Sequence, residues 1–298
     1  RQRQMCIRDR LYVMERTWFW QLLFADDYQW SAGGGDATFM ILAGVRLLMV
    51  LGVPFSASKF RGGFELDWVG YWMDYKYFEV GLSEARAGWI YEWLMRKLND
   101  GAVLIKEFRE ALGRLGFASG ALENWRPFLG PLYAWSAMVP LYSYVELPVM
   151  IKIIMRYLAD EIADGNYKEK VEVRPREEEW FRADAKAEKE GVGIGGWETR
   201  GGKSPKDARW FSLKLTRRNA PWVFEGGEPY TKIATLELLA TMICVISFPV
   251  EDEKAGGRGS LTLSGVTDNL GNRFAVSKLM TTKFPLCAAM MQLSSTLA

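Results

Sequence analysis

The sequence predicts two fold classes in series, an α+β half followed by an α/β half built on a mixed sheet. Three observations predict this. Aromatic and β-type residues flank an acidic pair in "LLFADDYQW", residues 22–30, the pattern of a hairpin. Between residues 84 and 163 apolar residues recur at helical spacing. Beyond a charged stretch, three strand-like segments, an apolar helix, a strand and a further helix follow in order. At 298 residues the chain is long enough for two domains.

Taken in order, "RQRQMCIRDR" is too polar for a signal core and reads as a leader foreign to the fold. "MERTWFWQLLF" and "YQWSA" then form strands on either side of Asp26-Asp27. "GGG" at 33–35 breaks the chain, and Asp36 is placed to cap a helix running to Gly52. "VPFSASKFRGG" is a loop carrying Lys59 and Arg61, and "FELDWVGYWMDYKYFEVGL" has hairpin character.

Helices are expected over "EARAGWIYEWLMRKLND", "VLIKEFREALGRLGF" and "VMIKIIMRYLADEIADG". Pro127, Pro131, Pro140 and Pro148 cut the intervening segment into short helices. Residues 164–179 are charged and poor in aliphatics, a linker. The strands "WFRADAKAEK", "GVGIGGWETR" and "ARWFSLKLTR" make a meander, followed by the apolar helix 233–248. Glu237 leaves that helix an apolar run short of the roughly 20 residues a membrane span needs, so it reads as buried. "LTLSGVTDN" is a fourth strand, and "RFAVSKLMTTK" begins a helix.

Composition narrows the chemistry. The chain has no histidine, and its three cysteines, Cys6, Cys244 and Cys287, are scattered without a Cys-x-x-Cys pair. Ser-His-Asp and Cys-His catalysis are excluded, because each needs an imidazole base. A zinc site lacks its usual ligands. Any catalysis must rest on carboxylates, lysines and metal ions. A net charge of +2 says little about a polyanionic partner.

Carboxylates in apolar settings are the remaining signal, since an unpaired buried charge is costly. Asp26 and Asp27 are compatible with an exposed turn or with a site for a hard cation. Asp184 falls mid-strand in "ADAKA", Glu237 on a helix in "LELLA", and Asp268 at a strand end in "TDN". Converging carboxylates repel one another unless cations sit among them. Two metals could then activate a water and stabilise a phosphodiester leaving group.

With these residues in order, the segment 176–291 resembles a ribonuclease H domain of the kind carried by retrotransposon polyproteins. "FADD" between two strands resembles the catalytic hairpin of reverse transcriptases. "LGVPFSASK" with Lys59 resembles the family's next motif, and "DWVGYWMD" the hairpin that grips a primer end. The likeness extends over nearly the whole chain after residue 11 and is to long-terminal-repeat or DIRS-type elements.

The resemblance implies the C-terminal half of a polymerase palm over 11–83 and a helical thumb or connection over 84–163. A linker over 164–179 and a C-terminally truncated ribonuclease H-like domain over 180–298 follow. It implies Mg²⁺ or Mn²⁺ held by Asp26, Asp27, Asp184, Glu237 and Asp268, and RNA, DNA or their hybrid as partner, with no membrane. It further implies an intracellular setting, cytoplasmic or nuclear, within a larger polyprotein. The fingers, the third polymerase carboxylate and the nuclease family's fourth acid are missing from the pattern. Lys59, Arg61, Arg273, Lys278 and Lys283 are placed either to meet phosphates or to solvate a surface. Trp68 and Trp72 serve either stacking on a terminal nucleotide or core packing. A decayed or domesticated module of the same fold, binding without turnover, is the competing expectation. A helical structural protein whose acids point apart is the third.

Overall fold

The computed structural model describes residues 18–24, 27–171, 179–188, 191–199, 206–248, 264–266 and 275–297. It divides into two compact units, one ending at Lys76 and the other beginning at Tyr77.

In the first unit, β1 (Trp18–Phe24) and β2 (Asp27–Gly33) pair antiparallel from Trp18↔Gly33 to Phe24↔Asp27. Only two residues therefore separate the strands at the acidic turn. α1 (Ala37–Val50) follows as expected, although the Asp36 side chain makes no capping hydrogen bond. β3 (Glu65–Trp68) and β4 (Tyr71–Asp74) form the second hairpin, turning through Val69 and Gly70, both at positive φ. Gln29, buried on β2, donates to the Tyr75 hydroxyl and so ties the first hairpin to the end of the second.

The second unit opens with β5 (Glu79–Leu82) and α2 (Glu84–Asp100), which ends on Gly101 in the left-handed conformation that glycine tolerates. β6 (Ala102–Leu104), α3 (Ile105–Ala118), α4 (Arg126–Met138), β7 (Tyr144–Glu146) and α5 (Val149–Ala163) complete a helical block. Its core is the periodic face read from the sequence: Ile105, Phe108, Leu112 and Leu115 are all buried.

The helical block corrects the sequence reading in two places. Pro131 lies inside α4 without breaking it. It removes one hydrogen bond near the helix start, and the buried Phe128, Leu129 and Leu132 hold the segment in place. Lys168–Lys170, read as linker, forms strand β8, antiparallel to β5. Backbone pairing holds it, because a Cβ on Gly81 would meet Tyr167 O at 2.3 Å and Lys168 Cα at 2.8 Å.

β9 (Glu179–Glu188), β10 (Gly191–Glu198) and β11 (Trp210–Leu215) make the predicted meander. α6 (Ile233–Ser247) crosses back, and β12 (Ser264–Val266) pairs parallel to β9. The sheet order is β11-β10-β9-β12, so β9 is interior. Pro229–Ser247 has the length and apolarity of a membrane span, yet Leu236, Ala240 and Cys244 are fully buried among sheet residues.

A third correction concerns the last helix. Residues 275–278 make only one helical turn, ended by Leu279 at φ 50°, and the helix is α7 (Leu286–Leu297). α7 packs against both α4 and α6, and the Ser294 hydroxyl donates to Asn124 O at 2.6 Å. It joins the helical block to the sheet as one body.

α6 approaches the sheet at Gly196. A Cβ there would lie 2.3 Å from Cys244 Sγ, 2.9 Å from the Phe211 ring and 3.0 Å from Arg182 O. Gly196→Ala is therefore expected to cost about 1–3 kcal/mol by overpacking, read as a lowered urea midpoint. Cys244→Ala added to it should recover part of the loss.

Glu169 on β8 is half-buried, and burial with the nearby carboxylates Glu123 and Glu161 pushes it up to about 7. A carboxyl raised above its unfolded value of 4.5 binds its proton more tightly in the folded state. Its stabilising contribution is complete below 4.5 and is lost as pH rises to about 7. Urea melts should show stability falling by up to about 3 kcal/mol from pH 5 to pH 8 through this group. Glu169→Gln should flatten that dependence.

Candidate functional site

Two groups of sequence-predicted residues fall on the described structure. At the first hairpin, Asp27 opens β2 opposite Phe24, and its residue is exposed; Asp26 lies outside the described residues. Tyr28 and Trp30 leave β2 on one face and stack at 5.5 Å. Phe55 packs edge-on against both, at 5.7 and 5.9 Å, and Phe60 packs on Phe55 at 5.8 Å. This aromatic chain fixes the loop bearing Lys59 and Arg61 against the hairpin.

Lys59 is exposed on a 3-10 turn, and the Arg61 guanidinium donates to Ser58 O and Phe60 O at 3.0 Å each. Trp68 is half-buried, and its indole N–H is shielded from solvent without a hydrogen-bond partner among the described residues. Trp72 donates to Glu65 Oε1 at 2.7 Å across the second hairpin.

The second group lies on the sheet. Asp184 sits mid-way along β9, opposite Gly195. It is exposed, and its Oδ1 accepts the backbone N–H of Ala185 at 2.8 Å. Its neighbours Ala183 and Ala185 pair with Gly196 and Ile194, the residues that face α6. Strand alternation therefore carries the Asp184 side chain to the other side of the sheet.

Glu237 is only 6% exposed on α6. It shares a helix face with Ala240 and Cys244, three and seven residues on, and that face packs on the sheet. Its backbone carbonyl accepts the Thr241 hydroxyl at 3.0 Å. Asp184 and Glu237 are thus on elements in direct contact but on opposite sides of the sheet, one carboxylate at the surface and the other buried, so the expected convergence of these two acids is not what the structure shows. Asp268 and Arg273 lie outside the described residues. Lys278 and Lys283 are exposed.

β12 runs parallel to β9 with Val266 opposite Arg182. In the sequence Asp268 follows Val266 by two residues, and Asp184 follows Arg182 by the same interval. Among the described residues, no three carboxylates or thiols gather into a metal-binding group. The donor types themselves, carboxylate oxygens without thiol or imidazole, suit a hard cation such as Mg²⁺ or Mn²⁺. Cys244 is no competitor as a ligand, since burial pushes its thiol up to about 12.

Sequence reasoning missed Glu198 and Arg209. Glu198 is 3% exposed and receives two hydrogen bonds from the Arg209 guanidinium, both at 2.9 Å. The pair closes the end of the β10–β11 hairpin, and nothing in local spacing signals it.

No family model and no curated protein matches the chain. Among solved structures it is similar to a foamy viral protease-reverse transcriptase in complex with dsDNA, with a TM-score of 0.35 and 13% identity. The likeness covers 88% of this chain and 53% of that one, so the chain spans about half its length. The resemblance is distant, and the functional reading rests on the chain's own geometry.

Proposed function

We propose that the chain is part of a reverse-transcriptase-type protein whose second unit cleaves the RNA strand of an RNA–DNA hybrid. The observation that carries this reading is the sheet topology. An antiparallel meander is followed by a crossover helix and a strand returning parallel to the first. Asp184 is on the interior strand and Glu237 on the crossover helix. In the sequence the third acid, Asp268, follows the end of the returning strand by two residues.

In this reading Asp184 and Asp268 would hold Mg²⁺ or Mn²⁺, which supplies an activated water and charge stabilisation at the leaving oxygen; Glu237 lies across the sheet from Asp184 and is not counted among its ligands. Asp184 contributes a solvent-facing carboxylate that keeps most of its acceptor capacity after the Ala185 bond. Asp26 and Asp27 at the first hairpin are the corresponding pair for nucleotide addition. The partners are RNA, DNA and their hybrid, in an intracellular setting, cytoplasmic or nuclear.

The test is hybrid cleavage in Mn²⁺ by the chain and by its Asp184→Asn variant, with melting curves in Mn²⁺ and in chelator. Slow cleavage is expected from the chain, falling at least about a hundredfold in the variant because the amide keeps the shape but loses the charge. Metal should raise the melting temperature by linkage. Equal cleavage by both proteins, or a melting curve blind to metal, would support the non-catalytic module instead.

A further inference from the structure

The face of the sheet opposite α6 carries a pattern that the carboxylate site does not use. Gly196 faces Cys244, so Gly193, Gly195 and Trp197 of β10 point the other way. The strand registers then arrange this face in three rows. Arg182, Trp197 and Trp210 form one, Asp184, Gly195 and Ser212 the next, and Lys186, Gly193 and Lys214 the third. Adjacent rows are about 7 Å apart along the strands, and neighbours within a row about 5 Å.

Two features set this face apart from an ordinary solvated surface. Trp210 is 71% exposed and Trp197 39%, and among the described residues neither ring stacks on another aromatic. On the far side of the Asp184 row, the Lys186 and Lys214 stems rise on either side of Gly193, which adds no side chain between them. Lys186 keeps 60% of its side chain exposed while paired with Glu188 at 2.7 Å, and a pair this exposed is readily exchanged for another anion. Two open indoles, a bare glycine floor and flanking cations match a polyanion with stackable rings. A peptide offers no comparable repeat of charge and flat π-face.

We propose that this open face binds a single strand of nucleic acid, with bases against Trp197 and Trp210 and phosphates at Lys186 and Lys214. The strand then crosses the row that holds Asp184. The choice of partner rests on the nuclease reading, but the face is defined by other residues. Stacking on tryptophan is tolerant of sequence, so little base preference is expected. The glycines are part of the device, because a side chain at 193 or 195 would lift the strand off the sheet.

The experiment is an anisotropy titration of the full chain with labelled oligo(dT) and oligo(U), against a blunt duplex of the same length. Both single strands should bind more tightly than the duplex. Trp197→Ala with Trp210→Ala should weaken single-strand binding at least about tenfold. Lys186→Ala with Lys214→Ala should lower the slope of log affinity against log salt by about 1.4, for two phosphate contacts. The exposed Trp210→Ala alone, with an unchanged melting temperature, guards against a folding defect. Affinity within twofold of wild type in the tryptophan variants would overturn the inference. So would Trp210-dependent self-association without nucleic acid, which would make the face an interface between copies. Tryptophan-dependent binding without hybrid cleavage would keep this inference and remove the nuclease reading; cleavage with unaffected binding would do the reverse.

Discussion

The seating of α6 on strands β9 and β10 is the contact on which the rest of the sheet depends. It needs a position on β10 without a side chain, filled by Gly196, and a small polarisable atom above it, filled by Cys244. With Leu236 and Ala240 on the same helix face, the helix lies close to the sheet and seals its core. That approach presents Glu237 on the sheet side of the helix. The opposite face is left open, and the two faces take different tasks. One buries apolar side chains and a carboxylate; the other exposes Asp184, two tryptophans and three cations.

A second consequence concerns the helical block. α7 packs on α6 through Leu238, Met290 and Leu293, and on α4 from its other side. Gly130 of α4 admits the approaching chain, since a Cβ there would fall 2.2 Å from Thr281 O. The two parts that the sequence separates by a linker therefore share one compact unit, joined by a helix from the far end of the chain. Few local signals could have announced this. Such a junction depends on which surfaces are left over after each part has folded.

Much of the rest was legible. Period-3.6 apolar spacing located α2, α3 and α5, and the Gly-rich and aromatic alternation located β9 to β11. The first hairpin was legible because two strand-type runs flank the acidic pair, and β1 and β2 pair along their whole length. What failed did so for physical reasons. Lys168–Lys170 has no apolar alternation, and only its backbone pairing to β5 beside Gly81 makes it a strand. Pro131 was read by its propensity, whereas buried neighbours decide its helix. For the candidate site, spacing identified the acids and their elements but could not show which side of the sheet each would take. That follows from register, which placed Asp184 outward and Glu237 inward.

The central claim is that Asp184 and Asp268 serve one cation. Paramagnetic line broadening by substoichiometric Mn²⁺ tests it directly in the isotope-labelled chain, without reliance on turnover. The account predicts that amides around 184–185 and 267–269 broaden together at the lowest Mn²⁺ levels, and that Asp184→Asn abolishes both effects at once. Broadening that begins at scattered surface acids and leaves 184–185 sharp, or that survives Asp184→Asn, would contradict it.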